Sequence, residues 1–455
     1  MEFSNNPIFY TGGTFRVNDT TFIGKAGKFK IAFCPAHLTS QAGVILLKDF
    51  VNRLQIAQTY DAQVSVKKRQ RGYSESQFIL AAAVSLILGG QCVDDLKVLR
   101  GDPGAKSLLE VEEIPSPQAM GEFLRRFRIG DLHDLLRAQR MIQQRINPLL
   151  VEHLPEPVCT LDLDSSVFTQ LAKLREGVRR AYTGERGYAP LVVYWAEIGQ
   201  WIYVHLQRGN VYASKKAIWV LEKALQLLPA GLRIRLRGDS AFYTHRLLQW
   251  CEERQIIYAV TADQTKKMRA LIEALPETDW TPDPEDQELS YAELRFAPYR
   301  QVERRYCLKR ARLRQSDGTT KTSYHVVVTN DHQRRPREII HWQLERCAME
   351  NAIKEFKHGL SLDKFPSRKF HANWAYFLIG QLAFNLVAWF KYLILPEEYL
   401  TATVKTLRHR LLNLAGKIVT KSRQFFLVIT EEYQFQGVWA HALTALGTLL
   451  LEAYP

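Results

Sequence analysis

Three carboxylates stand where separate elements of the chain end or turn. They are Asp164 in Leu161-Asp-Leu-Asp-Ser-Ser166, Asp239 in Arg237-Gly-Asp-Ser-Ala-Phe-Tyr243, and Glu350 in Arg346-Cys-Ala-Met-Glu-Asn-Ala-Ile-Lys-Glu-Phe-Lys357. Hard oxygen ligands from three distant segments, completed by water and phosphate oxygens, are what an octahedral Mg2+ or Mn2+ ion requires. Two such ions about 4 Å apart would activate an attacking water or hydroxyl and stabilise the leaving oxygen of a phosphodiester. Around the third acid, Arg346, Glu350, Ile353, Lys354 and Lys357 follow at helical spacings, so one helix face is expected to carry an acid among bases. Taken singly, each acid has a plainer use: an Asp at a strand end caps a helix or forms a turn, and a Glu among bases makes a surface ion pair. The order and setting of the three together carry the functional reading.

The elements that must position them change character at Pro157. Runs at 158–163, 190–197, 201–206 and 232–236 are short, apolar or alternating, and rich in Val, Ile and Tyr, so they read as strands. Helical periodicity at 214–228 and 244–254 gives the order strand, strand, strand, helix, strand, helix, which predicts a mixed α/β sheet. Strand alternation puts Asp162 and Asp164 on one face and leaves the choice between them open. Asp239 follows a strand run and precedes a helix start, a place where ligands gather in α/β sheets. A second strand-rich segment, 289–330, holds a hairpin with its turn at Ser316-Asp-Gly318.

Before Pro157 the chain combines short alternating segments, such as 29–33, with a helix around 46–59 and a further helix starting at Ser74. Helical character continues to Ile146, interrupted at Gly101-Asp-Pro-Gly104 and Ile114-Pro-Ser-Pro117. The stretch 118–127 reads as a short helix with bases on one side, suited equally to packing and to duplex DNA. After Pro336 the chain is mainly helical again, except at 424–430.

Composition sets the class. With 455 residues, 46% of them hydrophobic, the chain can bury a full core. Its formal charge of +14 favours polyanionic partners. Bases cluster at Lys67, Lys68, Arg69 and Arg71, along the strand-rich segment from Arg300 to Arg314, and from Lys405 to Arg423. Six scattered cysteines without a Cys-x-x-Cys pair point to neither a disulfide framework nor a zinc site, and fit a reducing cytoplasm. Met1 to Asn6 has no secretory pattern. The apolar run 376–395 is interrupted by Gln381, Asn385 and Lys391 and reads as a buried helix, so no membrane partner is expected.

At these residues the chain resembles the DDE transposases of bacterial insertion sequences, in the superfamily numbered four and its family numbered thirteen-eighty. The family's third-acid motif, Tyr-x2-Arg-x3-Glu-x6-Lys, is matched by Arg346, Glu350 and Lys357; Gln343 stands at the Tyr position and Cys347 where Gly is common. Asp164-Ser-Ser, Gly184 to Pro190, Arg208-Gly-Asn210, Arg237 to Tyr243, Pro366 to Asn373 and Leu382 to Leu386 extend the resemblance over about residues 70 to 430.

The resemblance prefers Asp164 to Asp162. It implies an RNase H-like catalytic core interrupted by a β-rich insertion, with helical N-terminal and C-terminal regions. The division is 1–150 for terminal-repeat binding, 157–265 and 336–395 for the core, 266–335 for the insertion and 396–455 for the C-terminal region. Asp164, Asp239 and Glu350 would hold two Mg2+ ions, with Mn2+ as an alternative, while Arg346 and Lys357 neutralise phosphate. DNA contacts are expected from Arg346, Lys354, Lys357, Asn210, Arg310 and Arg312. The partners would be double-stranded DNA, as terminal inverted repeats and target, and a second copy on that DNA, in a bacterial cytoplasm at the nucleoid. Three other readings remain: a catalytically defective DNA-binding derivative, favoured by Gln343 and Cys347; a metal-dependent nuclease that joins no strands; and a paired-carboxylate glycosidase, disfavoured by the basic charge.

Overall fold

The computed structural model describes residues 16–17, 20–26, 29–33 and 37–449, except 68–70, 173, 182, 299–301 and 315–318. Met1 to Asn6, Cys34, the cations Lys68, Arg69 and Arg300, and the turn expected at Ser316-Asp-Gly318 lie outside the described residues.

The alternating and apolar runs after Pro157 form one mixed sheet. Its strands are β1 (Val158–Ser165), β2 (Leu191–Trp195), β3 (Gln200–His205), β4 (Arg233–Gly238), β5 (Ile257–Thr261), β6 (Thr281–Pro282), β7 (Leu289–Phe296), β8 (Arg304–Arg314) and β9 (Thr320–Thr329). The nine lie in the order β3-β2-β1-β4-β5-β9-β8-β7-β6. Both β1 to β4 and β4 to β5 are parallel pairs, whereas β2 runs antiparallel to β1 and to β3. All eight residues of β1 are buried, as expected of a strand covered on both faces. The strands expected within 289–330 do not form a separate sheet: β9 pairs directly with β5 and continues the central one.

Six helices bear on positioning: α1 (Glu75–Leu88), α2 (Ile129–Val151), α3 (Ala217–Leu225), α4 (Pro336–Leu344), α5 (Cys347–Lys354) and α6 (Phe370–Leu393). The helix start read at Ser74 is a capping box: the Gln77 amide N–H donates to Ser74 Oγ at 3.3 Å, and the Ser74 N–H donates to Gln77 Oε1 at 2.7 Å. The helix expected around 46–59 is broken into Val44–Arg53 and Ile56–Gln63 by Gln55, whose φ of 49° is left-handed. In the C-terminal region the exception read at 424–430 is the strand β11 (Gln424–Val428), and it pairs with one further strand that the periodicity did not suggest, β10 (Gly416–Lys421).

Helix α6 is the apolar run of the sequence, and its polar interruptions have partners. Asn385 accepts from the Trp201 N–H at 2.9 Å and donates to the Trp201 carbonyl at 2.8 Å; Gln381 donates to the same carbonyl at 3.0 Å. Trp201 lies in the outermost strand β3, so these amides satisfy backbone groups that have no further strand to bond. Gln200 continues the network by donating to Asn147 of α2 at 2.9 Å, and Asn147 donates to the Leu227 carbonyl at 2.7 Å. Asn385→Leu is expected to lower stability by about 1–3 kcal/mol by leaving the buried Trp201 N–H unpaired. In urea unfolding this reads as a lower midpoint with an unchanged slope.

Candidate active site

In the β1–β4 register Leu163 lies opposite Gly238. Asp164 and Asp239 therefore follow adjacent, paired residues and lie side by side at the same carboxyl edge, Asp164 still paired with Val192 of β2 and Asp239 just beyond β4. Asp239 also caps a short 3-10 turn, its Oδ1 accepting from the Ala241 N–H at 3.0 Å. Glu350, on α5, is joined to this edge by Arg346, whose guanidinium lies 3.4 Å from Asp164 Oδ2 and 3.5 Å from Glu350 Oε1. Arg346 and Asp164 are largely buried, with side-chain exposures of 13% and 12%, whereas Glu350 is half exposed.

Burial pushes the Asp164 carboxyl above the ordinary Asp value; Arg346 opposes this, and the charges of Asp239 and Glu350 add to it. Asp239 shifts the same way for the same first reason, again opposed by Arg346, with Asp263 and Glu350 adding to the rise. Asp263 was not anticipated. It stands just beyond β5, the next parallel strand, and the run 256–260 followed by an acid three residues on was the signal available.

Asp162, the other candidate in β1, is fully buried and held by both forks of Arg237, at 2.6 and 2.9 Å. Arg237 also donates to the Trp342 carbonyl of α4 at 2.8 Å and to Glu345 at 3.1 Å. One guanidinium thus ties together β1, β4 and the chain entering α5, which are the three elements bearing Asp164, Asp239 and Glu350. The register explains the pairing, because Arg237 lies directly opposite Asp162.

A family model described as transposase DDE domain group 1 matches residues 23–450. The chain belongs to the DDE transposase family. Members of this family generally use divalent metal ions. Among solved structures, a cryo-EM structure of a piggyBac transposase synaptic complex with hairpin DNA is similar at a TM-score of 0.45 and 11% identity, over 91% of this chain and 86% of that one. No curated protein matches the chain.

In this DDE transposase the acids suit such an ion in chemistry: hard carboxylate oxygens converge on one buried cation, the Arg346 guanidinium. Among the described residues no three His, Cys, Asp or Glu side chains are gathered closely enough to hold a metal as they stand.

The basic face expected around Glu350 is divided. Ile353 is buried and Lys354 exposed, and a π-helical turn, Glu355–Gly359, follows α5 and changes the angular spacing before Lys357. Lys357 donates to Ser166 Oγ and to the Val167 carbonyl, both at 2.7 Å, and lies 4.7 Å over the Phe168 ring. It therefore fastens the segment that leaves Asp164. Burial lowers the Lys357 pKa, while the charge of Asp164 opposes the shift.

Gln343 is buried. It donates to Thr261 Oγ1 at 2.8 Å and to the Gly238 carbonyl at 3.5 Å, and its Oε1 pairs with His325 Nε2 at 3.2 Å. Gln343 thus braces the residue before Asp239. Cys347 is exposed at the start of α5. Asn210 is exposed in the turn after the Arg208 bridge to Tyr188.

The arginines of β8 turn mostly to neighbours. Arg310 is buried, bonded to both oxygens of Glu277 at 2.9 Å, with its guanidinium 4.1 Å over Trp280. Arg312 meets Glu277 at 2.7 Å but stays half exposed. Arg304 is bidentate on Glu252 at 2.7 and 2.9 Å, and Arg305 bonds Glu293.

Proposed function

We propose that the protein is an insertion-sequence transposase that binds terminal inverted repeats, cleaves them at their boundaries and joins the ends to target DNA. The observation that carries this is the pair Asp164 and Asp239 at one edge of adjacent parallel strands, closed by Arg346 and Glu350. The strand order β3-β2-β1-β4-β5, with its parallel pairs, supports an RNase H-like core, and 266–335 is then an insertion fused to that core. The resemblance set out above supports the family numbered thirteen-eighty, a bacterial nucleoid setting and a dimer on DNA.

Asp164, Asp239 and Glu350 would hold Mg2+ or Mn2+, two ions per site. When bound, the ions supply activation of the attacking hydroxyl and charge stabilisation at the leaving oxygen. The chain's own residues prepare for this. Arg346 holds Asp164 and Glu350 against their mutual repulsion, and its buried Nε lacks a hydrogen-bond partner among the described residues. A phosphate oxygen beside the scissile bond would supply that acceptor, so Arg346 is placed to serve both the acids and the DNA. Lys357 keeps the backbone after Asp164 in position, Lys354 and Asn210 are free to meet DNA, and Arg312 rather than the buried Arg310 faces phosphate on the insertion.

The test is incubation of purified protein and Mg2+ with a labelled terminal duplex and plasmid, comparing wild type with Glu350→Ala. Cleavage at the repeat boundary and end joining, both lost in the variant, are expected. Mg2+ should stabilise wild type by mass action, by about 2.7 kcal/mol at a hundredfold excess over Kd, and so raise its thermal midpoint, with a smaller rise in Glu350→Ala. Specific binding without strand chemistry would favour the defective derivative, in which Gln343 and Cys347 replace the family's residues. Cleavage without joining would favour a nuclease.

A further inference from the structure

The β10–β11 pair extends from a three-stranded sheet, in which Leu38–Thr39 pairs with β10 at Gly416 and Lys417, as a ribbon with two unlike faces. Its register sets Lys417 opposite Val428, Val419 opposite Phe426 and Lys421 opposite Gln424. By alternation these six side chains share one face, while Ile418, Thr420, Phe425 and Leu427 share the other. The second face is the anchored one, because Ile418 and Leu427 pack against the hydrophobic core. The first face points away from it: Lys417, Lys421, Phe426 and Val428 are exposed, while on the second face the anchoring ends at Ile418 and Leu427, and Thr420 and Phe425 near the tip stand clear of the core, Phe425 at 79%.

The tip is made of Ser422 and Arg423, both left-handed at φ 51° and 64°. That is the geometry of a two-residue hairpin turn, which Asn-Gly would adopt with less strain. The chain instead holds an arginine there.

From Gly416 to Val428 the ribbon carries Lys417, Lys421 and Arg423 and no acid; Glu431 and Glu432 come only after β11 ends. Among the described residues none of these three cations has an ion-pair partner. The contrast with β8 is direct, since Arg304, Arg305, Arg310 and Arg312 all face carboxylates. The ribbon thus displays cations that no carboxylate neutralises, unlike the four arginines of β8. A second copy of a chain with formal charge +14 would be repelled by such a face, whereas a phosphate backbone would be drawn to it.

We infer that the β10–β11 ribbon is a DNA-contacting element, with Lys417, Lys421 and Arg423 on phosphates and Phe426 and Val428 against the groove of a duplex. Beyond Lys417, where the pairing with Leu38–Thr39 ends, the ribbon is two-stranded and has the cross-section the major groove admits. The inference rests on the transposase reading for the presence of DNA, but concerns a surface outside the acids.

Binding to a terminal-repeat duplex and to an unrelated duplex of equal length is measured without metal across a salt series. Wild type is compared with the triple variant Lys417→Ala, Lys421→Ala, Arg423→Ala, and with Phe426→Ser. Three phosphate contacts contribute about 2.7 to the slope of log K against log salt, so the triple variant should lose about that much, roughly 10²-fold in affinity at 0.15 M. Phe426→Ser should weaken binding with the slope kept. Circular dichroism and thermal midpoints like those of wild type establish that both variants fold.

A triple variant that keeps the wild-type slope and affinity overturns the inference. So does DNA binding unchanged in Phe426→Ser together with loss of a wild-type dimer in light scattering, which would assign the face to a second copy. Because binding is read without metal, wild-type protein that binds but never cleaves would sink the catalytic reading and leave this one standing.

Discussion

Asp239→Asn is expected to lower strand cleavage by about 10³-fold or more while terminal DNA is still bound. A metal-bound oxygen gains several kcal/mol of transition-state stabilisation, and about 4 kcal/mol corresponds to roughly that factor. Asparagine is nearly isosteric and can keep the bond from the Ala241 N–H, so the 3-10 turn after β4 should survive. The variant has a second signature. Burial, Asp263 and Glu350 all raise the Asp239 pKa, so its charged form is penalised in the metal-free fold. A neutral side chain removes that penalty, and the metal-free thermal midpoint at pH 7 should be unchanged or higher. The rise on adding Mg2+ should shrink. Loss of binding and folding together would instead make Asp239 a structural residue.

Arg237→Met should have the largest effect on stability, about 3–5 kcal/mol, because it leaves Asp162 buried without its partner. The loss should diminish as pH falls. Burial raises the Asp162 pKa even with Arg237 present, so protonation favours the folded state below that raised value and the benefit disappears as pH rises through it. The double variant Asp162→Leu, Arg237→Met removes both charges and should recover most of the stability. It does not restore the bonds to Trp342 and Glu345, so cleavage should remain impaired in a protein that folds. Urea unfolding from pH 4 to 8, beside cleavage assays, separates the effects. A double variant as unstable as the single would mean that shape rather than charge decides the site.

Much of the sheet was legible because each central strand is a short apolar run bounded by turn residues, and Asp239 was placed by the strand before it and the helix after it. The choice between Asp162 and Asp164 was not legible from alternation, since a period of two gives both the same face. What distinguishes their surroundings is a partner of Asp162 lying 75 residues away, Arg237, whose register no local pattern encodes. The partners of the β8 arginines were hidden for a similar reason. Composition reports their charge, but Glu252, Glu277 and Glu293 lie elsewhere in the sequence and become neighbours only when the sheet forms. At Glu350 the helical spacing was right as far as Lys354, and the π turn beyond it could not be read from residue types. β10 went unnoticed because its alternation lies inside a segment otherwise helical.

The two rims of the nine-stranded sheet bear on how concentrated the protein can become. At one rim Gln381 and Asn385 occupy backbone groups of β3 that another molecule's strand would need. At the other, β6 is two residues long and ends in Pro282, which has no N–H to offer. Neither rim presents a long template for strand addition, so this large, apolar sheet is guarded against edge-to-edge polymerisation, the route by which such sheets ordinarily grow into aggregates.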